Sequence, residues 1–306
     1  MELQFGNRLS LLTGDNGLGK TFLLDIAWWA LTRTWPAEVN DKLSTGMKVR
    51  PYEDSEASIS FAYHGGQEEV KREYQFHRSH QQWLCENDRG FRHQCLVVYA
   101  HADGSFSVYD FARNYRALGG KGSSRVGPLA YVFSPGDVWH GLSDARNGQL
   151  CNGLIADWAG WQKERGELFG MLSSALQALS PSTDELIEIG ELTRISIGDV
   201  RDIPTLRVAY GQDVPVLHAS SGMRRIVALC YLLIWTWSEH RRACRLRGLS
   251  ETQQLIFLVD EIEAHLHPNW QRTIIHSLRA VAQTMGNCHV QLITTTHSPL
   301  ILASME

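Results

Sequence analysis

The chain opens on a strand, a glycine-rich loop and a helix, and that order constrains what the rest can fold into. The loop reads Gly14, Asp15, Asn16, Gly17, Leu18, Gly19, Lys20, Thr21 and fits G-x-x-x-x-G-K-[ST]. Its glycines let backbone N–H groups turn inward and approach phosphate oxygens closely. Lys20 brings a positive charge to the outer phosphates, and Thr21 offers a hydroxyl to Mg2+. The flanks agree. Arg8 to Thr13 reads as a short buried strand and Phe22 to Leu31 as an apolar helix, so a phosphate would rest on a helix N-terminus. A glycine turn that matched by accident would lack this context.

Composition excludes several classes. Hydrophobic residues make up 43% of the 306 positions and charged residues 20%, the profile of a globular protein. A net charge of −4 does not mark the whole chain as a nucleic-acid or membrane binder. The longest apolar run, Ile226 to Trp237, falls well short of the roughly 20 residues of a membrane span. No signal peptide is evident, and the six cysteines show no C-x-x-C pair. These features predict a reduced, cytoplasmic protein with no membrane partner.

Along the chain, residues 35–56 read as a polar loop with Pro36 and Pro51 as breakers. Residues 57–111 read as β-rich, forming a second layer on the core. Ala57 to Tyr63 alternates, His64 to Gln67 is a turn, and Glu69 to Phe76 returns. Cys95 to Ala100 and Ser105 to Phe111 flank a second turn at 102–104. Residues 112–128 read as a loop ending in the run Gly119 to Ser124. Ile155 to Leu179 reads as one or two helices weakened at Gly166 and Gly170 and closed by Ser180-Pro181. Residues 191–197 and 204–210 read as strands. A helix follows Gly222, Leu255 to Val259 is a strand buried on both faces, 269–285 is helical, and Val290 to Thr294 is a last strand. The expected organisation is a nucleotide-binding core split into 1–111 and 211–306, with a partly helical insertion at 112–210.

Three further stretches carry chemistry. Leu255 to Val259 runs into Asp260 and Glu261, and acids at the end of a buried strand stand where α/β sheets bind ligands. Asp260 is positioned to hold Mg2+, and Glu261 to orient or deprotonate an attacking water. Ile293 to Thr296 leads to His297. A lone histidine is more often structural, and His297 gains meaning from the company of the other motifs. Ser220, Ser221 and Gly222 open an apolar helix, either as a simple cap or as a second anion-binding helix N-terminus.

In this order the four elements resemble the ATP-binding-cassette class of ATPases. Ser220-Ser221-Gly222-Met223-Arg224 is similar to that family's signature motif, residues 255–261 to its Walker B strand with the catalytic glutamate, and His297 to its switch histidine. Asp260-Glu261-Ile262-Glu263-Ala264-His265-Leu266-His267-Pro268 and Thr296-His297-Ser298-Pro299 narrow the resemblance to soluble RecF/SMC-like and OLD-like ATPases. These include AAA-type ATPase subunits of bacterial anti-phage systems such as Septu and retrons. The resemblance implies a mixed core sheet with an antiparallel β-layer, and ATP with Mg2+ as ligands. It also implies a homodimer in which two heads pair head-to-tail around ATP. Lys20, Glu261 and His297 would then be catalytic, and Thr21 and Asp260 would hold the metal. Residues 14–21 would bind the phosphates, with Ser220, Ser221 and Gly222 acting on the partner's nucleotide.

The chain departs from that pattern in three places. Only Met1 to Asn7 precede the first strand, where members carry more. No lid-loop glutamine stands near Phe133 to Asp137, and Gln149 is the remaining candidate. The sequence stops at Glu306, where relatives continue into further strands or a nuclease domain. No nuclease centre is evident in this sequence, so effector function is expected to be absent, or carried on a partner or on a segment outside this sequence; a nuclease effector and nucleic acid are the candidate partners. Two other classes fit less well. A transporter subunit is disfavoured by the β-rich segment and the D-E-x-E-x-x-L-H-P text. A binding module without turnover is disfavoured by Lys20, Asp260, Glu261 and His297 occurring together. His265 and His267 stand two apart, so they share no helix face and are not read as a metal pair. The basic run His240 to Arg247 is read as a solvated helix end in preference to a nucleic-acid contact.

Overall fold

The computed structural model describes residues 2–53, 55–65, 68–85, 94–114, 129–144, 148–182, 185–207, 211–283, 285 and 288–305. Strand β1 (Leu9–Thr13) leads through the glycine loop into helix α1 (Lys20–Thr32), followed by a single helical turn, α2 (Pro36–Val39). Strands β2 (Ser58–Gly65), β3 (Glu68–His77) and β4 (Gln82–Leu84) form an antiparallel sheet. Strands β5 (Leu96–Ala100), β6 (Phe106–Asp110) and β7 (Tyr131–Phe133) precede helix α3 (Pro135–His140) and the hairpin β8 (Leu142–Asp144) and β9 (Gly148–Cys151). Helices α4 (Leu154–Glu164) and α5 (Glu167–Ala178) come next, then a small sheet of β10 (Glu188–Ile189), β11 (Thr205–Arg207) and β12 (Asp213–Pro215). The last part alternates: α6 (Ser221–Arg247), β13 (Gln254–Val259), α7 (Pro268–Gln283), β14 (His289–Thr296), α8 (Pro299–Ala303).

The core sheet has the order β1-β14-β13-β5-β6-β7. Its first four strands are parallel, and β6 runs antiparallel between β5 and β7, a mixed α/β sheet. Strand β13 shows why a continuous apolar run was needed. Ile256 and Leu258 pack with Leu24 and Trp28 of α1 on one face, while Leu255, Phe257 and Val259 pack with α6 and α7 on the other. A fully buried side chain of this kind contributes about 2 kcal/mol. Helix α1 is covered on its far side too. Trp29 joins Trp35, Ile59, Tyr74 and Trp83 in a cluster beneath the β2–β4 sheet, and the Arg33 guanidinium lies 4.5 Å from the Tyr74 ring centre. Helix α6 ends at Gly248, whose φ of 64° closes the last turn in the left-handed conformation.

Several expectations are corrected. The β-rich segment divides: β2–β4 form the outer layer, but β5 and β6 join the core sheet. The reason is visible in β5, whose five residues are all buried, so it needs cover on both faces. Residues 191–197 form no strand and contribute one isolated bridge, Thr193 to Ile203. The run read as a strand at 204–210 pairs over Thr205–Arg207, and 208–210 lie outside the described residues. The helical break falls at Arg165 and Gly166, and Gly170 sits inside α5. The loop 35–56 contains α2. The run Gly119 to Ser124 and the turn residues 66 and 67 lie outside the described residues. Among the described residues, no helix is long and apolar enough to cross a membrane.

Candidate active site at the strand ends

Parallel pairing sets four strand ends side by side. Thr13 lies opposite Thr296, Thr294 opposite Val259, and Val259 opposite Ala100. The segments after these strands therefore leave the sheet at one end: the glycine loop, His297, Asp260 with Glu261, and His101. In open α/β sheets that end is the ligand crevice.

The loop is built for close approach. Gly14, Gly17 and Gly19 have φ of 138°, 80° and 79°, a region where a side chain is strained. Gly19 is the N-cap of α1 and no side chain caps the helix, so its first N–H groups are left to other acceptors. Lys20 is buried, and its ammonium donates to the carbonyls of Gly14 and Asp15, both at 2.8 Å. Thr21 Oγ1 donates to Asp260 Oδ2 at 2.8 Å, joining the first motif to the third. Thr295 Oγ1 donates to the other oxygen, Asp260 Oδ1, at 2.7 Å.

Glu261 follows in the left-handed region, at φ 46°. Its N–H donates to Thr295 Oγ1 at 2.7 Å, and the Ile262 N–H to the Thr295 carbonyl at 3.1 Å. His297 is exposed at the end of β14, and its main-chain N–H donates to Glu263 Oε1. The structure thus brings Lys20, Thr21, Asp260, Glu261 and His297 to one end of the sheet. Ser220, Ser221 and Gly222 dock differently. Ser220 Oγ caps α6 by accepting from the Met223 N–H at 3.3 Å, and Ser221 is exposed. Among the described residues no hydrogen bond ties these three to the glycine loop.

Three residues of the site were not singled out from the sequence. Arg225, one turn into α6, is buried and donates to the His101 carbonyl at 2.6 Å and to the Asp260 carbonyl at 3.4 Å. Burial pushes its guanidinium down to about 10, with Asp103, Asp260 and Glu261 opposing. Thr295, fully buried, was hidden in a run of three threonines. Asp25 is an acid on an otherwise apolar stretch of α1. Its Oδ1 accepts from the Tyr99 hydroxyl at 3.0 Å. Burial pushes its carboxyl up to about 7, the Tyr99 bond opposes this, and Asp260 adds to it. Against the Tyr99 ring, His101 is held neutral, pushed down to about 3 by burial. The basic run at the end of α6 is largely occupied: Arg241 pairs with Glu167 and Glu251, and Arg242 with Glu239. Gln149 donates to the Cys151 carbonyl within its own hairpin.

The family described as "AAA domain, putative AbiEii toxin, Type IV TA system" matches residues 97–303. The chain belongs to this AAA family. The matched stretch begins at β5 and includes α6, Asp260, Glu261 and His297. The chain is similar to "Retron Vc95 probable ATPase" of Vibrio cholerae serotype O1 biovar El Tor, 28% identical over 38% of this chain and 21% of that protein. It is also similar to "Retron Ec83 probable ATPase" of Escherichia coli, 45% identical over 30% of this chain and 15% of that protein. A third relative is Septu protein PtuA of Bacillus mycoides (strain KBAB4), 33% identical over 28% of this chain and 10% of that protein. The chain spans about a fifth or less of the length of these relatives. Among solved structures, an Smc head bound to the C-winged helix domain of ScpA matches 98% of this chain and 85% of that one. The identity is 14% and the TM-score 0.49. The SMC head domain from Thermotoga maritima matches 99% and 85%, at 13% identity and a TM-score of 0.43.

Proposed function

We propose that this AAA-family chain binds ATP with Mg2+ and hydrolyses it. The bond from Thr21 to Asp260, 2.8 Å, carries the reading, because it joins two motifs from opposite ends of the sequence in one site. In this reading the main-chain N–H groups of residues 14–19 and the Lys20 ammonium bind the phosphates. The Thr21 hydroxyl and Asp260 carboxylate fit Mg2+, a hard cation that takes one or two carboxylates alongside substrate phosphates. Bound there, the ion would neutralise charge on the transferred phosphoryl group. Glu261 orients the attacking water and accepts its proton, and His297 contacts the outermost phosphate.

Ser221 and Gly222 complete the nucleotide site of a second copy, in a head-to-tail homodimer. The exposure of Ser221 and the lack, among the described residues, of any hydrogen bond from it to its own glycine loop support that assignment. The likeness to retron and Septu ATPases supports a role in anti-phage defence in the cytoplasm, with a nuclease effector and nucleic acid as candidate clients. Steady-state phosphate release tests the central claim. Lys20→Ala abolishes turnover. Glu261→Gln keeps ATP binding and lowers turnover by about a hundredfold or more. Glu261→Gln turning over like the wild type would sink the catalytic assignment, and ATP bound without turnover by the wild type would favour a binding module.

A further inference from the structure

The turn after β13 and the end of β14 are joined by a short series of hydrogen bonds. Thr295 supplies three, to the Asp260 carboxylate and to the N–H groups of Glu261 and Ile262. The next comes from the other side: Glu263 Oε1 accepts from the His297 N–H. The second oxygen, Glu263 Oε2, is buried and has no donor among the described residues. A carboxylate accepting from an N–H makes a charge-assisted bond, stronger than a neutral one.

His297 has little else to hold it. Among the described residues its imidazole makes no hydrogen bond. Its neighbour is fixed independently: the Ser298 N–H donates to Thr296 Oγ1 at 3.0 Å, and Ser298 Oγ donates to Gln271 Oε1 at 2.6 Å. On the other side, the turn that carries Glu263 is stiff. The Ala264 N–H donates to the Glu261 carbonyl and the Leu266 N–H to the Glu263 carbonyl, both at 2.8 Å. Glu261 and Glu263 therefore move as one unit, and the Glu263 side chain transmits that unit's position to the backbone of His297.

We propose that Glu263 is a positioning residue that sets where His297 stands relative to Glu261, and so governs turnover without touching the nucleotide. The inference rests on the ATPase reading above. The same turn meets the signature helix: a Cβ on Gly222 would lie 2.7 Å from the His265 carbonyl oxygen. Glu263 thus links the switch histidine to the segment that supports the first turn of α6.

The test compares Glu263→Ala with Glu263→Gln in the full chain, measuring kcat, KM and the Kd of a fluorescent ATP analogue. Displacing a catalytic group by about 1 Å costs roughly a hundredfold. Glu263→Ala is expected to lower kcat by about ten- to a hundredfold while KM and Kd stay within about twofold. Glu263→Gln keeps a carbonyl acceptor and restores most of kcat. Adding Glu263→Ala to His297→Ala costs little further, because both act through one group. The proposal is overturned by a Glu263→Ala enzyme with near wild-type kcat, by a Gln variant as impaired as Ala, or by losses that multiply with His297→Ala. If Glu263→Ala does not fold, the Gln variant decides alone: near wild-type turnover supports the acceptor role and a tenfold fall overturns it. A wild type without turnover overturns the ATPase reading as well, whereas normal turnover with an indifferent Glu263→Ala overturns this inference alone.

Discussion

Folding moves the Asp25 carboxyl from an ordinary value of 3.8 up to about 7, chiefly because it is buried. The folded chain then keeps a proton that the unfolded chain has already released. The resulting stabilisation is full below pH 3.8 and is lost as pH rises through about 7. A tenfold change in proton affinity corresponds to about 1.4 kcal/mol, so the whole effect is on the order of a few kcal/mol. Thermal melting between mildly acidic and mildly alkaline pH should show a decline that Asp25→Asn largely removes. An unchanged decline in Asp25→Asn would mean that the carboxyl titrates as it does in water. Asp25 was not singled out in the sequence: it lies on helix α1 and its partner Tyr99 on strand β5, so only tertiary contact joins them.

Helix α6 illustrates how an element can be read correctly for an incomplete reason. Ser220 caps it, and its apolar sides predicted burial. In the sequence, Gly222 reads as backbone exposed for an anion. The structure adds a packing reason: the helix start presses on the 261–266 turn, and an added Cβ would meet the His265 carbonyl oxygen at 2.7 Å. Backbone cannot yield as a flexible side chain does, so Gly222→Ala is expected to destabilise the chain by roughly 1–3 kcal/mol. Urea unfolding checks this, and an unchanged midpoint would show that the turn gives way freely. Arg225 strengthens the same joint by bonding to the carbonyls of His101 and Asp260. A single sequence could not point to it, because an arginine one turn into a helix usually reads as solvated.

At the scale of the molecule, the core sheet presents the glycine loop, Asp260, Glu261 and His297 at one end, while Ser221 is exposed. Ser221→Arg is expected to leave the ATP affinity of the single chain within about twofold. It should also prevent ATP-dependent dimerisation in light scattering and depress turnover. Unchanged turnover would remove the role in trans. The sequence alone determined what is local. Eight consecutive residues make the glycine loop, because its glycines and the bonds of Lys20 to the Gly14 and Asp15 carbonyls lie within one short stretch of chain. A run of apolar residues ending in Asp260 and Glu261 announces a buried strand and its crevice. The tertiary structure decided what depends on neighbours distant along the chain. The order β1-β14-β13-β5 put Thr295 beside Asp260, Glu263 beside His297 and Tyr99 beside Asp25. Those partnerships follow from strand register and from the packing of α1 and the turn after β13 against the sheet, which leave no mark in any short stretch of residues.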